Sequence, residues 1–218
     1  MRNVSIAHQL TVLILAAFSP TTVVWGQDAN DASTAEGGNE STLLAKTRQL
    51  TFEGRRAGEG YFSADGSRMV FQSERDAANP FYQIYVTDLE TGDIEKVSQG
   101  HGKTTCAWIH PTGKRVLFAS TQDDPEASNK QKAEIELRES GKQRRYAWDY
   151  DNQYELYAKE LADGKYQRLT NAKGYDAEGS YSPDGTLIAF ASNRNAFTRK
   201  LSEREQELFK IDPASMID

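Results

Sequence analysis

The sequence predicts an all-β fold assembled from repeats, and three observations predict it. A tight turn followed by an apolar run that ends in a small polar residue is written three times, at residues 63–73, 110–120 and 182–192. The first two of these runs are followed, directly or after an insertion, by an alternating polar and apolar stretch, a turn and a returning stretch, at 83–98 and 155–170. The step from Gly66 to Gly113 falls in the range of about 40–50 residues over which four-stranded blades repeat.

Each unit resolves into four short strands. The first lies ahead of the turn, at Gly60-Tyr61-Phe62 in the first unit and Gly179-Ser180-Tyr181 in the last. The turn follows, as Ser63-Ala64-Asp65-Gly66 and Ser182-Pro183-Asp184-Gly185. The carboxylates of Asp65 and Asp184 are placed to accept backbone amides, while Gly66 and Gly185 supply a positive φ. In the second unit the turn is His110-Pro111-Thr112-Gly113, where Thr112 stands in place of Asp, and only the turn hydrogen bond is put in question. These turn residues have structural roles. Strand two is the apolar run that starts at Arg68 and its equivalents.

Strand three alternates as a half-buried strand does, over residues 83–88 and 155–160. Glu90-Thr91-Gly92-Asp93 and Ala162-Asp163-Gly164 are hairpin turns, and the chain returns as strand four. The ending Arg168-Leu169-Thr170 echoes Gln49-Leu50-Thr51, near which ordered structure is expected to start. The predicted fold class is therefore all-β: a partial β-propeller of about two and a half four-stranded antiparallel blades, with charged helical insertions.

The insertions follow strand two. Residues 127–138 are rich in good helix formers and poor in apolar residues, which predicts a mostly solvated helix in a long insertion between residues 123 and 152. A second helix-prone charged stretch covers residues 201–210. The third unit shows no hairpin equivalent to residues 83–98. Two and a half blades cannot close a ring and leave an open edge, so the expectation is an N-terminal part of a longer chain.

Residues 1–26 read as an export signal, with an apolar stretch from Leu10 to Phe18, Pro20 after it, and a cleavage position near Gln27. The stretch is shorter than the roughly 20 residues a membrane span needs, so no span remains after signal removal. Residues 27–47 are small and polar and read as a flexible linker, and 48–218 carry the repeats. Export implies a periplasmic or extracellular location. The net charge of −6 disfavours nucleic acid as a partner. Cys106 is the only cysteine, which excludes an internal disulfide, and its apolar neighbours predict a buried, inert thiol.

Glu59 and Glu178 occupy equivalent positions, and Cys106 holds that place in the second unit. In a propeller the first strand lines the central channel. Carboxylates there form a candidate channel mouth for a cation or a basic partner segment, set against a purely structural role in the turn between blades. Asp149 and Asp151 hint at a calcium loop but lack its later glycine and glutamate. No zinc spacing, phosphate loop, dinucleotide fingerprint or nucleophile elbow is present, so no catalytic residue, metal site or cofactor is expected.

The Ser-Pro-Asp-Gly-x-x-Ile-x-Phe-x-Ser pattern at residues 182–192 and the Leu-Tyr-x-x-x-Leu-x-x-Gly pattern at 156–164 resemble the repeats of the TolB-like (WD-type) β-propellers. The resemblance covers residues 48–218. It implies an exported, non-catalytic scaffold in the cell envelope that binds protein or peptide, linked to Tol-type transport or envelope integrity. The same repeats also occur joined to exported peptidases and other hydrolases, where this chain would be an accessory propeller that handles substrate.

Overall fold

The computed structural model describes residues 44–142 and 150–217. Residues 1–43, which carry the signal-like stretch and most of the linker, lie outside the described residues, as do 143–149. Residues 48–218 form one compact unit, and the exposed residues 44–47 belong to another.

Blade one is a four-stranded antiparallel sheet of β1 (Ala57–Phe62), β2 (Arg68–Ser73), β3 (Gln83–Asp88) and β4 (Ile94–Lys96), paired in that order. Blade two repeats it with β5 (Thr104–Ile109), β6 (Arg115–Ser120), β7 (Glu155–Glu160) and β8 (Tyr166–Arg168). A half-blade of β9 (Asp176–Tyr181) and β10 (Ile188–Ser192) follows. The insertions hold α1 (Ala127–Glu139), α2 (Asn195–Thr198) and α3 (Glu203–Ile211), with a 3-10 turn at Pro213–Met216.

Alternation along each strand builds the cores between blades. In β2, Val70 faces blade two, and it meets Ala107, Ile109, Val116, Phe118 and Tyr157 together with Ile84, Val86 and Val97. Met69 and Phe71 point the other way and cluster with Tyr85. Blade two behaves alike: Leu117, Ala119 and Leu156 face the half-blade and pack on Tyr175, Ala177 and Tyr181. Val97 and Leu169 follow the fourth strands β4 and β8 and seat in the core in front of the next unit, and Leu50, ahead of β1, packs on Met69, Phe71 and Tyr85.

The tight turns at the far end of the first strands are built in two ways. Asp65 Oδ1 accepts from Ser63 Oγ at 2.6 Å and from the Ser67 amide at 3.0 Å. Asp184 Oδ1 does the same with Ser182 Oγ at 2.5 Å and the Thr186 amide at 3.0 Å. In blade two, His110 Nδ1 accepts the Thr112 amide at 3.2 Å, so the histidine supplies the acceptor that Thr112 lacks. That leaves Nε2 protonated and donating to the Gly185 carbonyl of the next unit at 3.2 Å. Arg68 reaches across in the same manner to the Gly113 carbonyl, at 2.6 Å. A Cβ on Gly113 or Gly185 would collide with these two side chains, and both glycines hold positive φ, +70° and +73°.

Candidate functional site

The first strands β1, β5 and β9 each carry a bulge, where pairing with the second strand slips. At each bulge sits a non-glycine residue in the left-handed region: Glu59 at φ +48°, Cys106 at +49° and Glu178 at +56°. Such a conformation costs a non-glycine residue about 1–3 kcal/mol. A bulge re-aims its side chain. Three equivalent bulges in neighbouring first strands therefore repeat one device.

The geometry brings these residues together. Cys106 Sγ donates to Glu59 Oε2 at 3.1 Å, across the boundary between blades. Tyr175 OH donates to Glu178 Oε1 at 3.4 Å. Glu59 and Glu178 are exposed, and Cys106 is partly buried. Burial pushes the Cys106 thiol up to about 12; Thr105 opposes the shift, and the Glu59 hydrogen bond with the charges of Glu59 and Glu178 adds to it. Burial also raises the Tyr61 hydroxyl, and the charges of Glu59 and Glu178 act in the same direction. The side chains thus form one acidic rim. Cys106 is partly rather than fully buried, because the bulge re-aims its side chain toward Glu59, and burial keeps the thiol protonated, in line with the expected inert cysteine.

Glu59, Cys106 and Glu178 each stand third in their strand, nearer the end where the first strands begin and where Ala57 pairs with Ser73 and Thr104 with Ser120. The connections between second and third strands leave from that same end. At that end α1 is mostly solvated, as expected, with only Ala127 and Glu134 buried, and it is anchored by ion pairs. Lys130 lies between Asp124 and Asp151, at 2.7 Å from each, and Lys103 stands 3.4 Å from Asp151. Arg138 binds Glu134 at 2.8 Å, Glu74 at 3.1 Å and the Pro80 carbonyl at 2.8 Å. Gln131 accepts the Gly102 amide at 3.0 Å and donates to the Ala78 carbonyl at 3.3 Å. The helix therefore ties a connection of blade one to blade two.

The pair Asp149 and Asp151 is only half visible, since Asp149 lies outside the described residues. Asp151 is buried and occupied by Lys130 and Lys103. Among the described residues no group of three His, Cys, Asp or Glu side chains is arranged to hold a metal, and no helix is long and apolar enough to cross a membrane. Sequence reasoning missed Tyr175 and the ionic anchoring of α1. The one available signal for the latter was the spacing of charges at 124, 130 and 151 around an insertion, which gains meaning only once the insertion folds back.

Four-stranded antiparallel sheets in simple order, with first strands converging and cores between sheets, define a partial β-propeller. Its repeats are TolB-like. The chain is 28% identical to a TolB homologue of Chlorobium chlorochromatii over 171 residues, covering 72% of this chain and 38% of that protein. A TolB homologue of Chlorobium luteolum is 25% identical over 149 residues, covering 62% and 34%. The matched region thus spans little more than a third of the length of these curated relatives. The crystal structure of TolB from Acinetobacter baumannii matches with a TM-score of 0.46 and 25% identity, over 65% of this chain and 28% of that one. No protein-family model matches the chain.

Proposed function

We propose that this chain provides a non-catalytic docking face for a protein or peptide in the cell envelope of the producing cell, in the periplasm or beyond it, within Tol-type transport or envelope integrity. The signal-like residues 1–26 and the similarity to TolB homologues support the location. The carrying observation is that an exposed carboxylate recurs at equivalent first-strand bulges, Glu59 and Glu178, with Cys106 of the blade between them hydrogen-bonded to Glu59. A rigid scaffold that presents connections at one end suits recognition rather than chemistry. The rim fits a lysine- or arginine-bearing segment entering the channel mouth, with carboxylates as acceptors and no group placed to react.

The test is calorimetric titration of the full-length protein with a short Lys/Ala peptide and with a Glu/Ala peptide as control. The expected result is binding of the basic peptide alone. In a Glu59→Gln, Glu178→Gln variant, loss of two exposed charge contacts of roughly 0.7 kcal/mol each weakens binding about ten-fold. Equal affinity in the variant removes the rim from the reading, and cleavage of the peptide would overturn the non-catalytic assignment.

A further inference from the structure

The segment from Glu207 to Asp212 repeats a third strand. Glu207-Leu208-Phe209-Lys210-Ile211-Asp212 aligns with Gln83-Ile84-Tyr85-Val86-Thr87-Asp88 of β3 and Glu155-Leu156-Tyr157-Ala158-Lys159-Glu160 of β7. Each reads polar, aliphatic, aromatic, two variable residues, acid. Each also follows a second strand that ends in serine, at Ser73, Ser120 and Ser192, across a connection of variable length. In the first two units the segment is the third strand of a blade. In the last it is helical, as part of α3.

Little holds it there. α3 has 9 residues, none of them buried, and isolated helices shorter than about 12–15 residues are marginal in water. Leu208 is 42% exposed and Ile211 83%. The helix rests on exposed polar contacts in its first turn, a capping box between Ser202 and Glu205, the Arg199–Glu205 ion pair at 2.7 Å and a Gln206 bond to the Leu201 carbonyl at 3.0 Å, and on an edge contact of Phe209 with Phe197, centroids 5.2 Å apart. Meanwhile, among the described residues β10 pairs with β9 alone, and no strand pairs at the edge where β2 and β6 meet their third strands.

The register is set by the other units. Ser73 opposes Gln83 and Ser120 opposes Glu155; Phe71 opposes Tyr85 and Phe118 opposes Tyr157. Both aromatic pairs stack, with centroids 5.8 and 6.1 Å apart and planes at 27° and 22°. Transferred to the last unit, Ser192 opposes Glu207, Ala191 opposes Leu208 and Phe190 opposes Phe209. The aromatic pair is thus present in sequence a third time.

We propose that residues 207–212 are the third strand of the last blade, stored as helix, and that they dock in this register on the free edge of β10. The connection 193–206 is longer than its counterpart at 74–82, so it has the reach once the first turn of α3 unwinds. Lys210 would take the place of Val86 and Ala158, which face the following unit, so docking is favoured when further sheet covers that face.

Two cysteine pairs test the register in the full-length protein with Cys106→Ser. Residues directly opposed across antiparallel strands have Cβ atoms about 4.5–5.5 Å apart, within reach of a disulfide after small adjustment. Ala191→Cys with Leu208→Cys is expected to cross-link under mild oxidation, and Ala191→Cys with Phe209→Cys is not. Hydrogen exchange in the unmodified protein reads the same event without substitutions: β10 amides that face away from β9 are expected to be protected. Fast exchange at those amides, or equal cross-linking of the two pairs, would overturn the proposal.

Discussion

Blade one has two faces made from one strand pair, and they are closed by different means. Toward blade two, Val70, Ile84 and Val86 are sealed by a second sheet that brings Val116, Phe118 and Tyr157. On the other side, Met69, Phe71 and Tyr85 occupy the repeat positions of Val116, Phe118 and Tyr157, and among the described residues no sheet packs over them. Leu50 and Leu89 cover part of that face, and the Arg75 guanidinium lies over the rings of Phe71 and Tyr85, at 5.3 and 4.8 Å. The same sequence pattern thus produces a sheet-on-sheet core where a neighbouring sheet packs, and a core closed by a strap and a cation on the other side, where Phe71 is still only 2% exposed. What a strand face requires is set by alternation, and what it receives is set by the neighbouring element.

The largest expected effect separates the two faces directly. Phe118 is fully enclosed, so Phe118→Ala should cost about 4 kcal/mol, transfer and cavity terms together. Phe71→Ala should cost roughly 2 kcal/mol, because the strap and Arg75 can collapse into the space. Denaturant unfolding of the two variants measures the difference. Equal costs would break the comparison and mean that Phe71 is as rigidly enclosed as Phe118.

The ionic groups at the two faces differ in the same sense. Asp151 is buried between Lys130 and Lys103 and anchors α1, whereas Arg75 pairs with Glu53, which is 81% exposed. Removing one partner of a buried cluster leaves charge without compensation, so Asp151→Asn should cost roughly 2–3 kcal/mol and loosen α1. Glu53→Gln should cost at most about 0.5 kcal/mol. Amide exchange along α1 checks the first outcome; unchanged protection there would show that α1 is held without Asp151.

How much of this was legible follows from the range of each signal. The hairpins could be read because alternation in residues 83–88 and glycine turns at Gly92 and Gly164 act within a few residues. The equivalence of Glu59, Cys106 and Glu178 was also visible. The left-handed bulges and the Cys106–Glu59 hydrogen bond were not, because they exist only where two blades meet. The anchoring of α1 was hidden for a similar reason: Asp124, Lys130 and Asp151 look like solvated charges until the insertion folds back on Lys103. At residues 207–212 two local signals conflict. Ser202 with Glu205 and the charged residues 203–206 favour helix, and they masked the repeat of β3 and β7.

The smallest expected effect distinguishes turns rather than cores. Hydrogen bonds from Ser63, and then from the amide and hydroxyl of Ser67, hold the Asp65 carboxyl down at about 2. Ser182 and Thr186 do the same for Asp184, also at about 2. Ordinary unfolded aspartate titrates near about 3.9. Because the folded values lie lower, both turns contribute stability in full above about pH 4 and lose it as pH falls toward 2. The blade-two turn has no such carboxylate: there His110 Nδ1 accepts the Thr112 amide. The first and third turns should therefore weaken in acid below pH 4. Carboxyl carbon titration by NMR checks this. Midpoints near the unfolded value of about 3.9 for Asp65 and Asp184 would mean that the serine and amide donors do not hold their carboxylates in the ionised form.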